Sequence, residues 1–193
     1  MRRPLSSAAR QRGFTLVEVA IVAAIVLIAA VVGVPAINGY VIENKVPSVA
    51  QDLQRFVVRM KASTQGLGEA PYTGSTTALL GNALRGSGVI TVSGTGAAAV
   101  VRHGLGASDG RITLAADTIT VAGDSFAIGL DKVNEAACPG LAAAMQRVSE
   151  RIVVNGDTVK EPAAGGATGA YDAVAADSAC VAGDANAFTF TAR

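Results

Sequence analysis

From Val19 to Ile37 the sequence VAIVAAIVLIAAVVGVPAI carries no charged residue. At about 1.5 Å per residue a helix of this length approaches the roughly 30 Å of a bilayer's hydrocarbon core, so the run predicts a membrane segment. Arg2, Arg3, Arg10 and Arg12 all precede the first acid, Glu18. A basic flank stays in the cytoplasm, which orients the N-terminus inward and predicts export of everything after Tyr40. Beyond residue 13, 12 bases face 15 acids, so the positive balance of this +1 chain lies in its first residues. A head without a basic field is a poor holder of nucleic acid, and no specific nucleic-acid site is predicted. Half the residues are hydrophobic and 16% are charged, which excludes a disordered chain. The 193 residues have room for one domain and an appendage.

Three readings of the apolar segment compete. A cleaved secretory signal accounts for the basic start and the apolar run, with Val34-Pro35-Ala36 as a poor cleavage site. A plain signal anchor needs only the run itself. Neither has a use for Glu18, whose carboxylate at the edge of an apolar helix costs up to about 2.5–3.5 kcal/mol depending on depth.

The residues Arg12 to Glu18 read RGFTLVE. This motif resembles the leader and mature start of type IV pilins and pseudopilins almost residue for residue. The resemblance implies that residues 1–13 are a leader, removed by a prepilin peptidase after Gly13, and that the new N-terminal Phe14 is N-methylated. It also implies that Glu18, fifth in the mature chain, guides assembly by meeting the amine of a neighbouring subunit. Cleavage after a glycine gives the peptidase an unhindered backbone, and it creates an amine one helical turn from Glu18. An ion pair inside a filament otherwise held by non-directional apolar contacts would set axial register.

Past the membrane run, Val46, Val49, Leu53, Phe56, Val57 and Met60 recur at spacings of three and four, one face of an amphipathic helix. Gln51, Asp52, Gln54, Arg55, Arg59 and Lys61 fall on the other side and read as a solvated face. A single helix from Phe14 to about Thr64 would be roughly 75 Å long, more than a small domain covers. Its first half, residues 14–40, must therefore lie in lipid or, by the resemblance, in a filament core of like helices, with residues 41–65 on the head. Pro35 removes a donor and predicts a kink, a position at which the family shares a proline, and Pro47 predicts a second bend or a restart.

GLGEAPYTG after Gln65 ends the helical pattern and opens a head over residues 66–193. VITV (89–92), AAAVV (97–101), RITL (111–114) and TITVAG (118–123) read as short strands, and SFAIGLD as a central one. Asn134 is a candidate cap for a short helix with Leu141, Met145 and Val148 on one face. RIVVNGD reads as strand and turn, PAAGGATGAYDAVAADSA as loop, and AFTFTA as a final strand with Phe188 and Phe190 on one side. The expected fold class is α+β: a long N-terminal helix on a small antiparallel sheet, the pilin fold.

Cys138 and Cys180, the two cysteines, lie in the portion expected outside the cytoplasm, where an oxidising compartment favours a disulfide. By resemblance, pilins close a C-terminal loop in this way. The series GLGEAPYTG, SFAIGLDKVNEAACPGL and DSACVAG resembles type IVb pilins of toxin-coregulated and conjugative thin pili, whereas a 13-residue leader before Phe14 is closer to type IVa. Both subgroups stay open at this point.

Catalytic signatures are weak. Gly94-x-Gly96-x-x-Ala99 with Asp117 downstream has the outline of a dinucleotide fingerprint but lacks a following amphipathic helix, so it reads as a glycine-rich loop. His103 is the sole histidine and reads as a loop residue, Ser108-Asp109 as a turn, and the head's acids stand singly at turns. No cofactor or metal is expected. The resemblance implies a structural subunit that self-associates as a helical homopolymer for adhesion, aggregation, conjugation or DNA uptake. Its machinery would be the prepilin peptidase, an inner-membrane assembly platform and an assembly ATPase. The precursor would sit in the inner membrane with its head in the periplasm, and the product in an extracellular pilus. The alternatives are a minor pilin, a type II secretion pseudopilin and, from another class, a signal-anchored periplasmic enzyme.

Overall fold

The computed structural model describes residues 13–162 and 169–193, apart from residues 34–36, of which only the assignment to a helix is described. The four arginines before Gly13 and the glycines of the 163–168 loop lie outside the described residues, and so does the kink expected at Pro35. Two units are present, one ending at Asn38 and the other spanning Gly39–Arg193.

Helix α1 runs over Leu16–Thr64. Thr15 caps it: its hydroxyl accepts from the Glu18 amide at 3.2 Å, satisfying one of the orphan donors of the first turn. At the other end the Ser63 and Thr64 hydroxyls donate to the Met60 carbonyl, and Gly66 at φ +84° supplies the left-handed step that stops the helix. In the first unit the described large apolar side chains from Leu16 to Ile37 are each 56–86% exposed. In the second unit all six residues of the predicted apolar face, Val46 to Met60, are buried.

Two expectations for α1 need correction. The helix does not restart at Pro47; burial of Val46 and Val49 around it offsets the roughly 3 kcal/mol that a proline costs inside a helix. The polar side is not wholly solvated either. Gln54 donates to the Ala144 carbonyl at 2.7 Å, and Ser87 donates to Asp52 at 2.6 Å, so both side chains tie the helix to the head.

The head is built on a seven-stranded antiparallel sheet: β1 Thr91–Ser93, β2 Val100–Arg102, β3 Arg111–Thr118, β4 Ala122–Val133, β5 Arg151–Val154, β6 Asp157–Lys160 and β7 Asn186–Ala192. They stand in the order β1-β2-β3-β4-β7-β5-β6. SFAIGLD lies in the central strand as expected, with Phe126, Ile128 and Leu130 turned into the core. The Phe126 ring meets Phe56 of α1 edge-on at 6.4 Å and Tyr72 at 4.9 Å. β7 pairs with β4 on one side and β5 on the other, which makes the last strand an interior one.

In TITVAG only Ile119, Thr120 and Val121 leave the sheet, as a turn between the end of β3 and the start of β4. The Asp124 carboxylate accepts from the backbone amides of Ile119, Thr120 and Val121 at 2.7–3.1 Å. Desolvation opposes its ionisation, but those donors outweigh it and hold the carboxyl at about 2. VITV and AAAVV contribute only β1 and β2, joined by a 3₁₀ turn at Gly96–Ala98.

Two helices lie where no helix is expected. α2, Thr77–Leu84, sits in the stretch read as strands and loop; it buries Leu80, Gly81 and Leu84. A Cβ at Gly81 would lie 3.3 Å from a Val92 methyl, so a larger residue here would make the neighbour give by a few tenths of an ångström. α4, Ala173–Ser178, falls in the segment read as loop, capped by Asp172, whose carboxylate accepts from the Val174 and Ala175 amides. The predicted helix after Asn134 is present but shorter: a 3₁₀ turn capped by Asn134, then α3 over Cys138–Met145.

Candidate functional site

Gly13, Phe14 and Thr15 precede α1 in non-helical backbone. A side chain at Gly13 would meet nothing within 4 Å, and Phe14 is 81% exposed. The Gly13–Phe14 bond is therefore an open, non-helical peptide at the foot of a helix. Glu18 lies in the first turn of that helix, exposed, sharing one side with Phe14, Val19, Val22, Ala23 and Val26. Among the described residues it forms no ion pair. An acid held without a partner in an apolar stripe is a demand for a cation from elsewhere.

In the head, Cys138 at the start of α3 is bonded to Cys180 just after α4, with Cα atoms 6.0 Å apart. The bridge is backed by a polar hub absent from the sequence-based expectations. Asn186, fully buried, donates to the carbonyls of Val133 and Val181 and accepts from the Val181 amide and from Asn155. Asn155 in turn donates to the Ala179 carbonyl and accepts from Ala187. All four polar atoms of these two amides are used, which is the condition for burying them at no net loss. Asn155-Gly156 was legible as a turn signal; the partnership with Asn186 was not. Lys160 is likewise buried and donates to the carbonyls of Gln146 and, at 2.7 Å, Ser149, closing the exit of α3.

The prokaryotic N-terminal methylation motif matches residues 8–34, and the family described as PilS N terminal matches residues 49–193, well over half of the chain. The chain belongs to this family of type IV pilins. The pilin is similar in fold to a type IVb pilin from Salmonella typhi, at 23% identity and a TM-score of 0.51, covering 76% of this chain and 96% of the other. It is also similar to TcpA, a type IV pilin from Vibrio cholerae El Tor biotype, at 13% identity and a TM-score of 0.52, covering 78% and 99%. No curated protein matches the chain. The fold of the head is thus type IVb-like. Type IV pilins are structural subunits rather than enzymes, membrane-anchored before they form extracellular pili.

The enzyme-like residues of the pilin serve the fold. Gly94 and Gly96, both at positive φ, make the tight β1–β2 connection and no helix follows them. His103 is in a loop as expected but is 5% exposed: Nδ1 accepts from the Leu105 amide at 3.2 Å, which leaves the proton on Nε2, 2.7 Å from the Asp131 carbonyl. Both nitrogens are spent on backbone. Burial lowers its pKa, against the opposing pull of the Asp131 carbonyl and the charges of Asp131 and Asp184.

A folded pKa below the unfolded value of 6.5 means that the unfolded chain binds the extra proton first. The contribution is whole above pH 6.5 and is lost as pH falls below it. The melting temperature is expected to decline from about pH 7 to about pH 5, and His103→Gln, less stable overall, to show a flatter decline over that interval. An equally steep decline in the variant would assign the effect to other groups.

Proposed function

We propose that this pilin is the polymerising subunit of a type IV pilus, stored in the inner membrane with its N-terminus in the cytoplasm and its head in the periplasm. Residues 1–13 are its leader, cleaved by a prepilin peptidase at the Gly13–Phe14 bond, with methylation of Phe14. Residues 14–40 form the membrane and filament-core half of the helix, 41–65 the half that packs on the head, and 66–193 the head. An inner-membrane platform and an assembly ATPase drive extension into a filament for adhesion, aggregation, conjugation or DNA uptake. The observation that carries this reading is the first unit of α1: among the described residues from Leu16 to Ile37, large apolar side chains are 56–86% exposed around a single carboxylate at Glu18. Twelve such side chains stay in water at a cost of about 1.5–3 kcal/mol each, so they require lipid or other helices.

The test is the intact mass of the protein in fibres sheared from its native cells. A chain beginning at Phe14 with one methyl added is expected. The same processed mass confined to the inner membrane would move the pilin to a minor-subunit or pseudopilin role, and a full-length mass would remove the processing step altogether.

A further inference from the structure

The head carries two complementary surfaces that cannot meet within one subunit. The first is a cleft of about 470 Å³ between α1 and the end of α2, with Phe56, Ala83 and Leu84 among its lining residues and Arg55 and Arg59 on it. Asp52 sits in the cleft but is already engaged by Arg55 at 2.8 Å and by Ser87. Arg59 is exposed and, among the described residues, has no partner. The second is α4. Val174 is 77% exposed there, the most exposed large apolar side chain of the head, and it stands between Asp172 and Asp177. Residues 161–192 contain Glu161, Asp172, Asp177 and Asp184 and no base. Asp172 is occupied as the cap of α4, Glu161 faces Arg151 and Asp184 faces Asn134, whereas Asp177 has no side-chain partner among the described residues.

Sheet order separates the two surfaces. α2 lies against β1, β2 and β3, while α4 lies against β6 and α3. From β2 to β6 there are five strand spacings in the order β1-β2-β3-β4-β7-β5-β6, about 24 Å at the usual interstrand distance. A basic cleft with an apolar floor at one end and an acidic helix with an exposed valine at the other make a heterologous pair. Such a pair, repeated by a rotation that does not close, generates an open helical fibre.

We propose that α4 of one pilin docks in the α1–α2 cleft of a second copy, with Val174 on the Phe56–Leu84 floor and Asp177 facing Arg59. The contact rests on the filament reading above and adds to it a head-to-head interface distinct from the N-terminal helices. One buried valine gives the contact an apolar anchor, and the charges serve chiefly to choose register and partner.

The test uses full-length protein in cells that assemble the fibre. Arg59→Glu alone and Asp177→Arg alone are each expected to lower sheared fibre by about tenfold or more, because each sets like charges against one another. The double variant Arg59→Glu/Asp177→Arg is expected to recover fibres. Co-expression of the two single variants is expected to recover them too, with both subunits in the same fibre, since each then finds its complement in the other. Processed subunit in the membrane at wild-type levels shows that the variants fold. Undiminished fibres from both single variants would overturn the contact and leave the cleft to a partner other than a second copy. Loss in the single variants without recovery in either combination would also overturn it. Absence of the unaltered protein from fibres would overturn the filament reading and this contact with it.

Discussion

Glu18→Ala is expected to yield processed subunit in the membrane and essentially no fibres. The variant keeps Gly13 and Phe14, so the peptidase meets the same open bond, and the Thr15 hydroxyl still caps the helix because it bonds the backbone amide at position 18 rather than the side chain. What disappears is the single charge on an apolar surface. In the filament proposed above, the cation offered to that charge is the amine at Phe14 of a neighbour. Removing one member of a pair buried among apolar helices costs about 3–5 kcal/mol because the other is left uncompensated. At about 1.4 kcal/mol per tenfold, each subunit added is disfavoured by roughly two to nearly four orders of magnitude. Glu18→Gln, which preserves shape and removes only charge, is expected to behave the same way. Fibre counts with immunoblots of membrane and sheared fractions decide the matter. Normal fibres from either variant would show that apolar contact alone sets the register.

Cys138→Ser is expected to produce the largest loss of head stability of any single substitution away from the central core. The bridge closes a sequence separation of 42 residues, which in the chain-entropy account contributes about 4 kcal/mol. Against a total of about 5–15 kcal/mol for a domain, that is a large fraction. The expected fall in melting temperature is roughly 8–16 °C for a head of this size. The Asn186–Asn155 hub holds the same segment to β7 and β5 from the other side, so the reduced head is destabilised rather than unfolded. Thermal melts of the wild type with and without reductant provide the check. Superimposable melts would mean that the hub alone restrains the loop.

Local signals and tertiary outcomes divide cleanly along the chain. The RGFTLVE motif, the charge-free run, the three-and-four spacing from Val46 to Met60 and the Asn134 cap are all periodic or nearest-neighbour features. Each can be read because the physics behind it acts over one helical turn or across a bilayer. The central strand at SFAIGLD and the alternation in AFTFTA were legible for the same reason.

α2 escaped because TALLGNAL contains a glycine that isolated propensity counts against a helix; Gly81 is there because Val92 and Val101 press on it. α4 escaped because AVAADS has too few large apolar residues to show a face, and its stability comes from the Asp172 cap and the buried Ala176. TITVAG reads as a β-branched strand, yet three amides turning onto Asp124 outweigh that preference. His103 is buried because Asp131, 28 residues away, brings a carbonyl to it.

By itself the sequence determined an apolar run of membrane length, the RGFTLVE motif before it, a lone acid at its edge and two cysteines in the head. Only the tertiary structure decided the strand order, the interior place of β7, the amide hub at Asn186 and the two separated surfaces at the ends of the sheet. These depend on which distant segments meet, and long-range pairing is set by the sum of many weak contacts that no local window contains.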